Sequence, residues 1–153
     1  MINFKENLLK SKVVSVWGAG YLGYAEIIML QSKGFRVSVF DYTNTGFAKK
    51  IKKGGYPEKR QIYSWSEKGE IPPIDVSKIN IATMNAMFDS RIHILAFPVE
   101  DRQGNNLLKQ LAGEFKDHKG DVKDALVVFQ SAGIPGAIDR HFIDILKKKN
   151  IRC

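Results

Sequence analysis

The chain has 153 residues, enough for one domain with its own hydrophobic core, and no apolar run in it approaches the length of a membrane span. Its 24 Lys and Arg exceed its 16 Asp and Glu, which gives a net charge of +8. This charge is interpreted as a contribution to solubility rather than as a nucleic-acid site, because the lysine runs lack interleaved aromatic residues. A single cysteine, Cys153, excludes an internal disulfide, and the first residues do not form a signal peptide, so the expected compartment is the cytoplasm.

Two apolar runs separated by a helical segment open the chain. Residues 1–12 are polar and predict a short lead-in. Val13–Trp17 predicts a buried strand, and the helix that follows is expected to begin near Tyr21 and to stop at Gly34 in the left-handed conformation. The apolar run 35–40 predicts the second strand.

The turn after the first strand reads Gly-x-Gly-x-x-Gly, and the second strand ends in an acid, Asp41. Gly18 permits a sharp turn, Gly20 has no Cβ and lets a pyrophosphate approach the backbone, and Gly23 lets the helix pack closely on the sheet. The start of the helix directs N–H groups and a positive dipole at the phosphates. Asp41 can accept hydrogen bonds from ribose hydroxyls and would repel a 2′-phosphate. The pattern therefore predicts a dinucleotide site that favours NAD over NADP.

The rest of the chain alternates strands with helices. The further elements expected are strands at 79–83, 92–97 and 125–129, and helices at 47–53, at 106–118 and from Pro135 onward. Residues 56–75 read as a largely irregular loop. Run 92–97 is almost wholly apolar and suits a central parallel strand. His93 inside it is interpreted as a packed or partnered residue, because no carboxylate or nucleophile lies near it in sequence.

This alternation predicts an α/β protein: a single Rossmann-like domain over residues 13–153, with a doubly wound parallel sheet and right-handed crossovers. Ligands of such folds bind beyond the carboxyl ends of the strands. Four segments are expected to meet there, namely 18–23, Asp41, 97–99 and 131–132.

Three stretches resemble the UDP-glucose/GDP-mannose (nucleotide-sugar) dehydrogenase family. The stretch 16–23 resembles that family's Gly-x-Gly-Tyr-Val-Gly phosphate loop. Ala82-Thr83 followed by 94–98 resembles its Ala-Thr and Val-Pro-Thr-Pro segments, and 127–136 is similar to its Glu-Ser-Thr-Val-Pro-Pro-Gly segment. The resemblance extends over about residues 12–150 in the same order and spacing.

The resemblance implies the N-terminal NAD-binding domain of a nucleotide-sugar 6-dehydrogenase. The cofactor-binding residues it implies, together with the glycine motif, are Gly18, Ala19, Gly20, Tyr21, Leu22, Gly23, Asp41, Tyr42, Phe97, Pro98, Val99, Ser131 and Ala132. The chain departs from the family where Ala132 replaces a threonine and where Val99-Glu100 replaces the second Thr-Pro. Gly46 stands about where the family often has a basic residue.

The resemblance also implies that the chain does not turn over alone. The family's cysteine nucleophile lies in a Gly-Gly-x-Cys context that has no match here, and Cys153 is the last residue. No catalytic residue and no metal ligand is therefore assigned. A nucleotide sugar is expected as a partner only with a further C-terminal domain, and homo-oligomerisation stays open. Two alternatives remain: a non-catalytic dinucleotide-binding or regulatory module on this fold, and the cofactor domain of a 3-hydroxy-acid-type dehydrogenase.

Overall fold

A computed structural model describes residues 12–41, 74–97, 106–120, 122, 124–130 and 136–152. Its strands are β1 (Val13–Trp17), β2 (Arg36–Phe40), β3 (Ile79–Ile81), β4 (Ile92–Leu95) and β5 (Leu126–Phe129). They form one sheet in the order β3-β2-β1-β4-β5, and every neighbouring pair is parallel. The chain thus winds outward from β1 in both directions, which confirms the predicted doubly wound parallel sheet.

The helices are α1 (Tyr21–Ser32), α2 (Leu107–Asp117) and α3 (Asp144–Lys148). Two short 3-10 helices (Val76–Lys78 and Asn85–Asp89) flank β3, and a π-helical segment (Asp139–Ile143) leads directly into α3. No helix in the described ranges is both long and apolar enough to cross a membrane.

The two faces of the sheet carry separate cores, because side chains alternate along each strand. On one face, Val14 and Val16 of β1 pack with Ile27 of α1. On the other, Trp17 packs with Phe115 of α2 and with further buried residues that include Leu95, Val127, Phe142 and Leu146. Both faces of the sheet are therefore covered by helices, as the near-continuous apolar strands predicted.

Glycine and asparagine set the helix limits that the sequence predicted. Gly34 has φ +83° and donates its N–H to the Gln31 carbonyl, while the Phe35 N–H reaches back to the Leu30 carbonyl at 3.0 Å. This double hydrogen bond is the Schellman stop of α1. At the start of α2 the Asn106 side chain accepts a hydrogen bond from the Lys109 N–H at 2.8 Å, which satisfies one unpaired donor of the first turn.

Most differences from the predicted elements lie at their ends. β3 ends at Ile81 rather than at residue 83, because the Thr83 hydroxyl accepts a hydrogen bond from the Ala86 N–H and starts the 3-10 helix that follows. β4 likewise ends at Leu95, although the Ala96 N–H still donates to the Trp17 carbonyl.

The last helix differs in type. A π-helical segment stands where α-helical spacing predicted a plain α-helix. A π-helical turn contains more residues than an α-helical turn, yet Phe142 and Leu146 are both buried here. The apolar pattern alone therefore does not distinguish the two helix types. Several predictions concern residues that the structure does not describe, namely 1–11, 42–73, 98–105 and 131–135, the last of which includes Pro135.

Candidate cofactor site at the carboxyl edge of the sheet

The glycine turn is built into the fold at Gly18, between the ends of β2 and β4. Gly18 has φ +100°, and a Cβ on it would lie 2.6 Å from the Ala96 carbonyl oxygen and 2.9 Å from the Phe97 Cβ. Its N–H donates to the Phe40 carbonyl at 2.7 Å. Both the backbone conformation and the contact with the end of β4 therefore require glycine at this position.

The other two glycines have different surroundings. A Cβ on Gly23 would overlap the Gly18 carbonyl oxygen and lie 3.5 Å from a methyl group of Val16, so Gly23 allows α1 to rest directly on the turn. A Cβ on Gly20 would meet nothing within 4 Å. Gly20 is thus dispensable for packing, and the space beside its backbone is open to a ligand.

The first turn of α1 presents backbone donors at this open space. Gly20 is the N-cap, in an extended conformation, and makes no side-chain capping hydrogen bond. The first intrahelical bond runs from the Tyr24 N–H to the Gly20 carbonyl at 2.9 Å, so the N–H groups of residues 21–23 have no intrahelical acceptor. No acidic side chain occupies this turn, which leaves the positive end of the helix dipole available to an anion.

Asp41 stands immediately after β2 and is tied to the glycine turn. Its Oδ2 accepts a hydrogen bond from the Ala19 N–H at 3.1 Å. The side chain is half-buried, and this bond holds its carboxylate beside the turn. The sequence predicted the proximity of Asp41 to the turn but not this direct contact.

The remaining assigned residues fall into two groups. Leu22 has 44% of its surface exposed at the first turn of α1, whereas Phe97 is 7% exposed and its side chain belongs to the core around Trp17. Contact between Phe97 and a ligand therefore depends on its backbone. Five assigned residues lie outside the described ranges: Tyr42, Pro98, Val99, Ser131 and Ala132. Their roles stay predictions.

His93 is packed, as its sequence context predicted. It is fully buried, and its Nδ1 accepts a hydrogen bond from the indole N–H of Trp17 at 3.3 Å. The rings of Phe88 and Phe115 lie 5.8 Å and 5.2 Å from it. Burial lowers the pKa of His93 to about 3, with a smaller contribution from the charge of His118, so the ring is neutral near pH 7.

One pair near this edge was missed by the sequence analysis. The Gln130 side-chain N–H donates to Glu26 Oε1 at 2.7 Å, joining the residue that follows β5 to α1. Glu26 Oε2 and Gln130 Oε1 are both buried, and neither has a hydrogen-bond partner. A signal was present in the sequence, since Glu26 is the sole charged residue within the helix Tyr21–Ser32.

A cavity of about 690 Å³ lies elsewhere on the molecule. Its lining includes Thr83 and Asn85 from the connection after β3, and Asp117 and His118 from the end of α2. None of its lining residues belongs to the glycine turn. The described part of the chain also holds no group of three His, Cys, Asp or Glu side chains that could bind a metal ion.

Comparison with known proteins identifies the fold. No family model and no curated protein matches the chain. GDP-mannose dehydrogenase from Pseudomonas aeruginosa matches 90% of this chain with 32% of its own, at TM-score 0.64 and 17% identity. UDP-D-ManNAc dehydrogenase from Pyrococcus horikoshii matches 92% with 33% of its own, at TM-score 0.65 and 21% identity. Glycerol-3-phosphate dehydrogenase from Coxiella burnetii matches 91% with 38% of its own, at TM-score 0.62 and 12% identity.

The chain has the Rossmann-like fold of these dehydrogenases. It spans about a third of the length of the two nucleotide-sugar dehydrogenases that it matches. The region matched in each case is of the size of one domain, in agreement with the single sheet of the described residues.

Proposed function

We propose that this chain is the NAD-binding domain of a nucleotide-sugar dehydrogenase of the UDP-glucose/GDP-mannose type. The observation that carries the proposal is the glycine turn itself. Gly18 and Gly23 are required by packing, whereas Gly20 faces open space beside the first N–H groups of α1, which have no intrahelical acceptor, and beside Asp41. The solved dehydrogenases support the fold, and the three stretches that resemble the family support the choice of enzyme class.

In this proposal the pyrophosphate of NAD binds at the N-terminus of α1. The backbone N–H groups of Tyr21, Leu22 and Gly23 donate to its oxygens, and the missing Cβ of Gly20 leaves room for it. Asp41 accepts hydrogen bonds from the adenosine ribose. A 2′-phosphate would place a second anion against this carboxylate, so NAD is favoured over NADP. The predicted contacts at Tyr42, 97–99 and 131–132 complete the proposed site.

NAD, when bound, supplies the hydride acceptor for oxidation of an alcohol. The residues of this chain bind and orient it, and sugar oxidation belongs to a longer enzyme that provides the nucleophile and the sugar site. The chain alone is therefore expected to bind NAD without turning over a nucleotide sugar. A Gly-Gly-x-Cys segment in the reading frame beyond residue 153 would support the enzyme class, and its absence would favour a non-catalytic module.

A second candidate is the cofactor domain of another dehydrogenase. The match to glycerol-3-phosphate dehydrogenase has almost the same TM-score as the nucleotide-sugar enzymes, 0.62 against 0.64 and 0.65. The fold does not separate these classes, so the preference depends on the sequence motifs around 82–83, 94–98 and 127–136.

Calorimetric titration with NAD and NADP tests the cofactor proposal directly. The wild-type chain is expected to bind NAD more tightly than NADP, and Asp41→Ala is expected to weaken NAD and to reduce this preference. Gly113→Ala is a matched control, because Gly113 lies on α2 and a Cβ there meets nothing within 4 Å. Failure of the wild-type chain to bind any dinucleotide would contradict the proposal.

A further inference from the structure

A partly buried hydrogen bond connects α1 to the end of β5. The Gln130 amide donates to Glu26 Oε1 at 2.7 Å, across 104 positions of sequence. The amide thus presents its NH₂ group to the carboxyl oxygen, and this fixes the orientation of the Gln130 side chain. The Gln130 backbone is held as well, because its N–H donates to the Leu95 carbonyl at 3.0 Å.

This pair has more acceptors than donors. Glu26 Oε2 and Gln130 Oε1 are both shielded from solvent and both lack a hydrogen-bond partner. Buried acceptors without a donor are rare in folded proteins, because they lose water and gain nothing in return. A group that satisfied both oxygens would have to carry N–H or O–H donors and no negative charge.

The strand order places this pair on a definite side of the proposed NAD site. Asp41 follows β2, the glycine turn follows β1, and Gln130 follows β5 on the opposite side of β1. With the pyrophosphate at the turn and the adenosine ribose at Asp41, the other half of the dinucleotide extends over β4 toward β5. The nicotinamide half therefore extends toward Gln130.

We propose that Glu26 and Gln130 recognise the carboxamide group of nicotinamide. This inference rests on the proposed function. The carboxamide NH₂ has two donors, which match the two unpartnered oxygens in number and in charge. Because both oxygens are shielded in this structure, binding of the carboxamide requires them to become accessible. A carboxylate in the same position would face Glu26 and a carbonyl oxygen without any donor, so the pair selects the amide over the acid.

The test compares three ligands by calorimetry: NAD, nicotinic acid adenine dinucleotide, in which a carboxylate replaces the carboxamide, and ADP-ribose, which lacks the ring. The wild-type chain is expected to bind NAD about tenfold or more tightly than the acid analogue. Glu26→Gln converts the unpartnered carboxylate oxygen into a donor, so this preference should disappear or reverse. ADP-ribose should bind equally to both proteins.

Glu114→Gln is the control for the change of charge, since Glu114 is exposed on α2. It should retain the wild-type preference. Gln130→Met removes the other acceptor at similar size and should also reduce the preference, which keeps the proposal testable if Glu26→Gln does not fold.

Two results overturn this inference. Equal affinity of the wild-type chain for NAD and its acid analogue would mean that the pair meets a buried water or no ligand at all. A preference that persists in both Glu26→Gln and Gln130→Met would assign recognition to other residues. In either case binding of ADP-ribose would leave the proposed function standing, whereas failure to bind both ADP-ribose and NAD would remove the proposed function and this inference together.

Discussion

Replacing each glycine of the turn with alanine should separate folding from ligand binding. A Cβ on Gly18 would lie 2.6 Å from a backbone oxygen at φ +100°, and a Cβ on Gly23 would overlap the Gly18 carbonyl. Backbone atoms cannot rotate away as a side chain can, so both changes strain the fold. A Cβ on Gly20 would enter open space, and its φ of −69° suits alanine.

The expected magnitudes differ clearly between positions. Overpacking and a disfavoured backbone conformation each cost about 1–3 kcal/mol, so Gly18→Ala should lose about 2–6 kcal/mol of unfolding free energy. Gly23→Ala should lose about 1–3 kcal/mol from overpacking alone. Gly20→Ala should stay within about 0.5 kcal/mol of wild type. For a chain of this length, 1 kcal/mol corresponds to roughly 2–4 °C in Tm.

Urea unfolding and NAD calorimetry on the same preparations provide the assay. Gly20→Ala should fold as wild type yet bind NAD more weakly, and Gly20→Val should weaken binding further, because a larger side chain fills the pyrophosphate site. The control Gly113→Ala should gain about 0.5–1 kcal/mol from helix propensity without changing NAD affinity.

Two results would refute this reasoning. Unchanged NAD affinity in Gly20→Val would place the pyrophosphate elsewhere. Wild-type stability in both Gly18→Ala and Gly23→Ala would mean that the close contacts around the turn are not maintained in solution.

The remaining predictions concern charge, pH and capping. Asp41→Asn keeps an acceptor for the Ala19 N–H but removes the charge, so NADP affinity measured by calorimetry should rise relative to NAD, and an unchanged ratio would contradict the role of the carboxylate. The folded-state pKa of His93, about 3, lies below its unfolded value of about 6.5, so the unfolded chain binds the extra proton first and stability falls as the pH drops below about 7.5. This loss should reach about 2 kcal/mol at pH 5, measured as the slope of unfolding free energy against pH, and it should be smaller in His93→Asn. Asn106→Ala removes the side-chain cap of α2 and should lose about 1 kcal/mol in urea unfolding; no loss would mean that the cap bond is replaced by solvent.

The sheet could be predicted from sequence because its signals are local and redundant. Val13–Trp17 is an apolar run, interrupted only by Ser15 and followed by a turn motif, and the structure has the strand over the same residues. Gly34 both ends α1 and starts the approach to β2, so one residue determines two boundaries. Strand ends are harder to predict, since Thr83 can extend a strand or begin a turn, and the hydrogen bond from the Ala86 N–H to its hydroxyl is not visible in the local sequence.

The missed features depend on contacts between distant segments. The bond from Ala19 to Asp41 requires the registry of β1 against β2, and the bond from Gln130 to Glu26 requires α1 to lie near the end of β5. The pairing of one strand with another and the position of a helix on the sheet cannot be read from the residue spacing within a single segment. The π-helical segment Asp139–Ile143 was missed for another reason, because burial of Phe142 and Leu146 is satisfied by either helix type.

The contacts of the glycine turn also bear on how it would bind a ligand. The Phe40 carbonyl at the end of β2 holds the N–H of Gly18, Ala96 after β4 closes against it, and Asp41 holds the N–H of Ala19. The turn is therefore positioned by three strands before any ligand arrives, and binding should require little ordering of its backbone. The same contacts make Gly18 part of both the core and the proposed site, so substitutions there should lose stability and binding together. Gly20 has no such contacts, and only binding should be lost when it is replaced.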